Sequence, residues 1–226
     1  MKFVKPGYTI MTEINGEEML KHVEKVGRIC YKSEDKITEG SHQKFVKMLI
    51  DRGHHAMIEH APSISVLFKI DRGVSHEAVR HRLFSFAQES TRYVNYLNKG
   101  IEFIIPCWFR EDTKQALLTH GTPCGGSTGI DEEAIEWHNA MFNAEQSYNK
   151  LIETFGWKPQ QARSVLPNSL KTEIVITGNI RQWRHFFSLR IQKDAHEQIQ
   201  EVSRPLLAEL KTLVPVMFDD ITLKGE

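Results

Sequence analysis

Over residues 17–30, Met19, Leu20, Val23, Val26 and Cys30 recur at the intervals of one helical face. A shorter helix is predicted over residues 41–53. Ser41 is placed to cap its start, Phe45, Met48 and Leu49 form its apolar stripe, and Gly53 can close it in the left-handed conformation. The period then changes. Ile64, Val66, Phe68 and Ile70 alternate with Ser65 and Lys69, interrupted only by Leu67, which is a strand signal. Asp71-Arg72-Gly73 turns the chain into a helical stretch from Val74 onward. Residues 101–105 form a second strand candidate stopped by Pro106, and residues 121–129 (GTPCGGSTG) read as a mobile surface loop. A long helix is predicted over 131–155, with Ile135, His138, Phe142, Leu151 and Phe155 on one side and Gly156 as its stop. Leu170, Thr172, Ile174 and Ile176 alternate again as a third strand ending at Gly178-Asn179. Asn179 can cap a helix carrying Trp183, Phe186, Phe187 and Arg190, and a last helix from Asp194, bent at Pro205, holds Ile199, Val202, Leu206 and Leu210. No repeat or shift of composition marks a linker, so one mixed α+β domain over residues 1–226 is expected.

Charge narrows the function. The 226 residues carry 29 Lys+Arg against 29 Asp+Glu, a formal net charge of zero. That balance argues against non-specific nucleic-acid binding as the main task, although a local basic site survives it. No apolar run approaches the roughly 18–20 residues that cross a bilayer. The opening Met1-Lys2-Phe3-Val4-Lys5-Pro6 lacks a signal-peptide core, and a cytoplasmic location without membrane association is expected. Cys30, Cys107 and Cys124 are widely spaced and odd in number, which fits neither a disulfide framework nor a zinc ribbon.

The densest polar stretch is residues 80–96, RHRLFSFAQESTRYVNY. In a helix, Arg80, His81 and Arg82 would point in three directions, which suits a place where two ligands are held. If the helix continues, Arg82, Ser85, Glu89 and Arg92 share a face. A solvated, salt-bridged face is the plain alternative, but Phe84, Phe86, Tyr93 and Tyr96 interleave the charges and require burial or stacking. A guanidinium held there calls for an anion, and phosphate is its natural bidentate partner. The stretch 179–190, NIRQWRHFFSLR, sets Arg181, Arg184 and Arg190 in a strongly aromatic segment. An amphipathic helix whose arginines reach water accounts for Arg184, but less well for Arg190 after Phe186-Phe187-Ser188-Leu189. A third cluster, His54, His55, Glu59 and His60, hints at a metal site, yet it lacks H-E-x-x-H and a nearby cysteine, and no metal is expected. Two further readings stay open at this level. One is a single-strand nucleic-acid module stacking bases on the Arg-aromatic segment; the other is a metal phosphohydrolase built on His54, His55 and His60. Glycine-rich dinucleotide and P-loop motifs, and a nucleophile elbow, are absent from the sequence.

Arg80-His81-Arg82, then Ser90 after seven residues, then Arg92-Tyr93, resembles the signature of the flavin-dependent thymidylate synthases. The likeness spans most of the chain. Gly53-His54 with Glu59-His60 resembles the family's G-H-x-x-x-x-E-H segment, and Arg163 with Leu166-Pro167 its R-x-x-L-P segment. Asn179-x-Arg181, His185, Arg190 and Ala195-x-Glu197-x-Ile199 resemble its C-terminal blocks. Two positions depart from the pattern: Gln88 stands where many members have a carboxylate, and Ala56 replaces a small hydroxyl residue.

The resemblance implies a central, mostly antiparallel sheet flanked by helices, assembled as a homotetramer with active sites between subunits. It also implies conversion of dUMP to dTMP, with methylenetetrahydrofolate as one-carbon donor and NADPH reducing FAD. Classical thymidylate synthase attacks the pyrimidine with a cysteine, and here no cysteine lies in a basic, motif-rich segment. By the same likeness Glu77, Ala78, Val79, Arg80, Gln88, Glu89, Ser90, Thr91, Arg92 and Arg163 line the dUMP site, with Ser90 and Arg92 at the phosphate. Ser90 has no adjacent base and reads as a phosphate ligand, not a nucleophile. Arg190 is the expected catalytic residue, a fixed cation beside N3 and O2 of the uracil. FAD would be held by His54, Ala56, Arg80, His81, Arg82, Gln88, Asn179, Ile180, Arg181 and His185.

Overall fold

In the computed structural model, which describes residues 1–97, 99–123 and 131–224, strands β1 (Lys2–Val4) and β2 (Gly7–Ile10) precede helices α1 (Gly16–Ile29) and α2 (Ser41–Asp51). Strand β3 (Ile64–Asp71) runs into the short helix α3 (Arg72–Ala78), and strands β4 (Ser85–Gln88) and β5 (Glu102–Ile104) follow. Helices α4 (Glu111–His120), α5 (Glu132–Glu153) and α6 (Pro159–Ala162) lead to strand β6 (Lys171–Gly178) and helices α7 (Ile180–Arg190) and α8 (Glu197–Leu213). Residues 124–129 of the loop expected over 121–129 lie outside the described residues.

The fold comprises two compact units, one of Met1–Gly7, Phe68–Arg80 and Ala87–Ile174, the other of Tyr8–Leu67, His81–Phe86 and Val175–Glu226. Four strands form a sheet in the order β2-β3-β6-β4. Near one end of β3, Ser65 Oγ meets Thr177 Oγ1 at 2.8 Å; beyond its other end, Arg72 N donates to Leu170 O at 3.1 Å, so β3 and β6 run antiparallel. In the first unit β1 and β5 pair in parallel, with Phe3 opposite Phe103. The expected α+β class with an antiparallel sheet is what the chain adopts.

The core of the first unit gathers Phe3, Tyr96, Phe103, Leu117, Met141 and Tyr148. Helix α5 buries Ala134, Met141, Glu145 and Tyr148, while Ile135, Phe142 and Phe155 are exposed. The apolar stripe read from the sequence is therefore displaced around the helix. Tyr148 decides the orientation, because its ring packs edge-on against Tyr96 at 6.0 Å and its hydroxyl accepts Tyr96 N at 3.3 Å.

In the second unit Trp183 is fully enclosed, stacked on Phe187 at 5.8 Å and met edge-on by Phe84 at 4.8 Å. Its indole N–H donates to Ile64 O at 3.1 Å, which satisfies the one polar atom of the ring. Helix α2 starts one residue differently from the sequence reading. Gly40, at φ 73°, is the N-cap, and Ser41 instead donates its hydroxyl to the buried Glu24 carboxylate at 2.8 Å. Gly53 has φ 72°, as its expected closing role requires. Helix α8 begins at Glu197, not Asp194, and continues through Pro205 to Leu213.

Gly178 ends β6 beneath the ring of Phe84, where an added Cβ would stand 2.4 Å from two ring carbons and 2.7 Å from Gln182 Oε1. Gly178→Ala is expected to destabilise the protein by about 1–3 kcal/mol through overpacking. Gly7→Ala, where a Cβ meets nothing within 4 Å, should leave the urea midpoint within error. Equal midpoints for the two variants would contradict this packing.

Candidate active site

In the first unit the residues expected around a nucleotide are set by one cap and one turn. Asp71 Oδ1 accepts Val74 N at 2.7 Å and starts α3, which ends at Ala78. Glu77 and Val79 are thereby half-buried, Ala78 is buried, and Arg80 is exposed. Past β4, Ser90 O accepts Tyr93 N at 3.2 Å and Val94 N at 3.0 Å, and Ser90 Oγ accepts Arg92 N at 3.3 Å. This tight turn presents Arg92 to solvent, its guanidinium 5.5 Å from the Tyr93 ring centre.

The turn is held from beneath. Arg72 Nη2 donates to Glu89 O at 2.7 Å, and Glu89 N donates to Glu173 O at 2.8 Å. The Glu89 carboxylate accepts the Tyr96 hydroxyl at 3.0 Å and lies 3.4 Å from Lys171 Nζ. Burial and the Glu89 charge push the Tyr96 phenol well above its usual range. Although burial opposes it, Glu89, Glu173 and Glu102 hold the Lys171 ammonium above its ordinary value. Gln88 donates to Ser75 Oγ at 2.9 Å and to Thr172 Oγ1 at 3.3 Å. An amide here can donate to two hydroxyls where a carboxylate could only accept. Arg163, from the R-x-x-L-P segment, donates Nη1 to Thr91 Oγ1 at 3.0 Å.

In the second unit α7 starts with a reciprocal cap. Asn179 Oδ1 accepts Gln182 N at 3.0 Å, and Gln182 Oε1 accepts Asn179 N at 2.7 Å. The same Gln182 amide donates to Leu83 O at 2.7 Å, tying the helix start to residues 81–86. Ile180 is buried as the first helical residue, and Arg181 projects outward to Glu59 at 2.6 Å. His54, Ala56, Arg82 and His185 are exposed. At the other end of α7, Arg190 Nε donates to His81 Nε2 at 3.0 Å. Burial, then the Arg190 guanidinium and the His185 ring, push the His81 imidazole down to about 4, so it is neutral at physiological pH.

Two readings change. Residues 80–96 do not continue as a helix: α3 ends at Ala78, and Ser85–Gln88 is a strand beside β6, so Arg82, Ser85, Glu89 and Arg92 share no helical face. Two aromatic residues near the strand, Phe84 and Phe86, face each other at 6.3 Å, and the pairing of β4 with β6 outweighs the helical spacing of the charges. Arg184 does not reach water. It is buried, donating to both Asp220 carboxylate oxygens at 2.6 Å and to Met217 O. Glu59 is taken up by Arg181, and among the described residues no three His, Cys, Asp or Glu side chains are placed to hold one metal ion. Arg72, which holds the Ser90 turn, was legible only as part of the Asp71-Arg72-Gly73 turn, whereas Tyr96 is buried as its place among the charges required.

A neutral buried imidazole makes stability depend on pH. Unfolded, His81 would titrate near its ordinary value of roughly 6.5. Between that value and the folded value of about 4, unfolding takes up a proton, so stability is retained above the higher value and falls as the pH drops through this window. His81→Phe should flatten the loss of urea midpoint between neutral pH and the lower end of the window. An unchanged slope would contradict the burial of a neutral ring.

The family model described as thymidylate synthase complementing protein matches residues 13–216. A flavin-dependent thymidylate synthase of Corynebacterium glutamicum is 32% identical, the match covering 94% of this chain and 83% of that relative. One from Mycobacterium leprae is 31% identical over 96% of this chain and 85% of its own length. Among solved structures, the UMP/dUMP methylase PolB from Streptomyces cacaoi bound with 5-Br dUMP shares the fold at a TM-score of 0.77 and 24% identity, covering 97% of this chain and 96% of that one. Thymidylate Synthase X from Helicobacter pylori, solved with FAD and dUMP, does so at a TM-score of 0.72 and 19% identity, covering 96% and 98%. The match over most of the chain identifies this protein as an enzyme of the flavin-dependent thymidylate synthase family.

Proposed function

We propose that residues 1–226 act as one catalytic domain that converts dUMP to dTMP, taking the one-carbon unit from methylenetetrahydrofolate and using FAD reduced by NADPH. The observation that carries the reading is Arg190, whose Nε–H donates to the buried neutral ring of His81 at 3.0 Å, which gives the guanidinium a fixed direction. Placed beside N3 and O2, it stabilises the anionic pyrimidine and makes C5 nucleophilic toward the one-carbon unit. Ser90 and Arg92, on their exposed turn, hold the phosphate, and Arg163 with Thr91 adds a contact to the nucleotide. Glu77, Ala78, Val79, Arg80, Gln88 and Glu89 line the same site.

The second unit fits a flavin dinucleotide. Its exposed donors His54, Arg82, Arg181 and His185 suit a diphosphate and the polar edge of a flavin, and Asn179 and Ile180 fix the helix start that carries Arg181. Ala56 and His81 complete the set in this unit, and Arg80 and Gln88 of the first unit are assigned to the flavin as well. When bound and reduced by NADPH, the flavin would supply the hydride that completes the methyl group, and tetrahydrofolate would leave. Cys30 is exposed with its sulfur 3.9 Å from Met57 Sδ, and Cys107 is half-buried beside Lys114, which donates to its carbonyl. Cys30 and Cys107 themselves lie outside the motif blocks, which supports activation of the pyrimidine by charge and not by a thiol. The enzyme works as a cytoplasmic homotetramer with active sites between subunits.

The purified protein should be yellow, with an oxidised-flavin absorption band bleached by NADPH, and should form dTMP from dUMP only when methylenetetrahydrofolate is present. A colourless protein that cannot be loaded with FAD would contradict the reading. Arg190→Ala is expected to keep the flavin band and lose dTMP formation by about 10²-fold or more, because the lost interaction grows along the reaction path. Wild-type turnover in that variant would remove Arg190 from the chemistry.

A further inference from the structure

We infer that Ser75 and Thr172 are positioning residues for Gln88: they fix its amide with Nε2 turned into the protein and Oε1 toward the nucleotide, where it accepts from the sugar 3′-hydroxyl. The inference rests on the proposed binding of dUMP at the Ser90 turn. Gln88 is the last residue of β4 and half-buried, and its Nε2 donates to Ser75 Oγ at 2.9 Å and to Thr172 Oγ1 at 3.3 Å. Ser75 and Thr172 are both fully buried. Ser75 decides which end of the amide faces inward. Its single hydroxyl proton is given to Arg72 O at 3.0 Å, one turn back in α3, so toward Gln88 its oxygen can only accept. The inner end of the amide is therefore the nitrogen, and the carbonyl oxygen lies on the opposite side.

The two supports of the amide also carry the phosphate turn. From α3, Arg72 donates to Glu89 O at 2.7 Å; from β6, Glu173 O accepts Glu89 N at 2.8 Å, one residue after Thr172. Gln88 and Glu89 are thereby held on one frame, within the first unit, and Ser90 follows directly. Gln88 precedes Ser90 by two residues, about 7 Å of extended chain. With the 5′-phosphate at Ser90 and Arg92, the part of dUMP that this reach meets is the sugar next to it. The deoxyribose of a 5′-nucleotide has one hydrogen-bond donor, the 3′-hydroxyl, and an amide oxygen accepts from it. An amide at this position supplies the acceptor without placing a negative charge beside an anionic nucleotide.

Isothermal titration, in the presence of excess FAD, with dUMP and with 2′,3′-dideoxyuridine 5′-monophosphate tests the inference. Wild type should bind the dideoxy nucleotide about 10-fold more weakly. In Ser75→Ala/Thr172→Val, where the amide is free to turn, and in Gln88→Leu, where it is gone, the two nucleotides should bind within about 2-fold of each other. A merely structural role of the two hydroxyls would weaken both nucleotides alike and leave their ratio as in wild type. No preference in wild type, or a preference that survives in either variant, would overturn the inference. Side-chain amide NMR of the ligand-free, ¹⁵N-glutamine-labelled wild type makes the test independent of how the variants fold. The Gln88 amide hydrogens should exchange slowly with solvent, and fast exchange refutes the inward nitrogen. Should the wild type bind no dUMP, the proposed substrate fails, while the amide signals still decide the orientation of Gln88.

Discussion

A guanidinium oriented by a neutral acceptor keeps its full charge, whereas one oriented by a carboxylate is largely neutralised. Both kinds of contact occur among the described arginines of this protein. Arg184 and Arg28 are tied to Asp220 and Glu24 and serve the packing of the second unit. Arg163 is oriented by the Thr91 hydroxyl and Arg190 by the His81 ring. The latter two occur in the family's motif blocks.

The hydrogen bonds also explain why the motif blocks occur together in one chain. In the first unit the R-x-x-L-P arginine meets the threonine that follows Ser90. In the second, Glu59 of the G-H-x-x-x-x-E-H segment meets Arg181 of N-x-R, and the central histidine of the triplet meets Arg190. Each block supplies half of a contact. Beneath them lie aromatic layers, Tyr96 and Tyr148 in one unit and Phe84, Trp183 and Phe186 in the other, that fix the backbone from which these side chains project.

Much of this was legible in the sequence because periodicity reports burial directly. The strands around Val66 and Ile174 and the helix capped by Asn179 follow from alternation, from helical spacing and from a cap residue. The segment 80–96 was not legible in the same way. Its charges have helical spacing, but its conformation is decided by a sheet neighbour more than eighty residues away, with Glu89 N reaching Glu173 O. The face of α5 was misread for a related reason: small Ala134 and charged Glu145 are buried there, while Phe142 is exposed. The part of Arg72 was invisible because a half-buried arginine that supports a turn has the same local pattern as one on the surface.

The central claim is that arginines from distant stretches converge on one pyrimidine nucleotide beside one flavin. A crystal structure of the assembled protein with dUMP and FAD bound tests it most directly. The account predicts Ser90 and Arg92 on the phosphate, Arg163 on the nucleotide, Arg190 on N3 and O2 of the base, and Arg80 between nucleotide and flavin. Arginines dispersed over separate surfaces, with the ligands bound elsewhere, would contradict it.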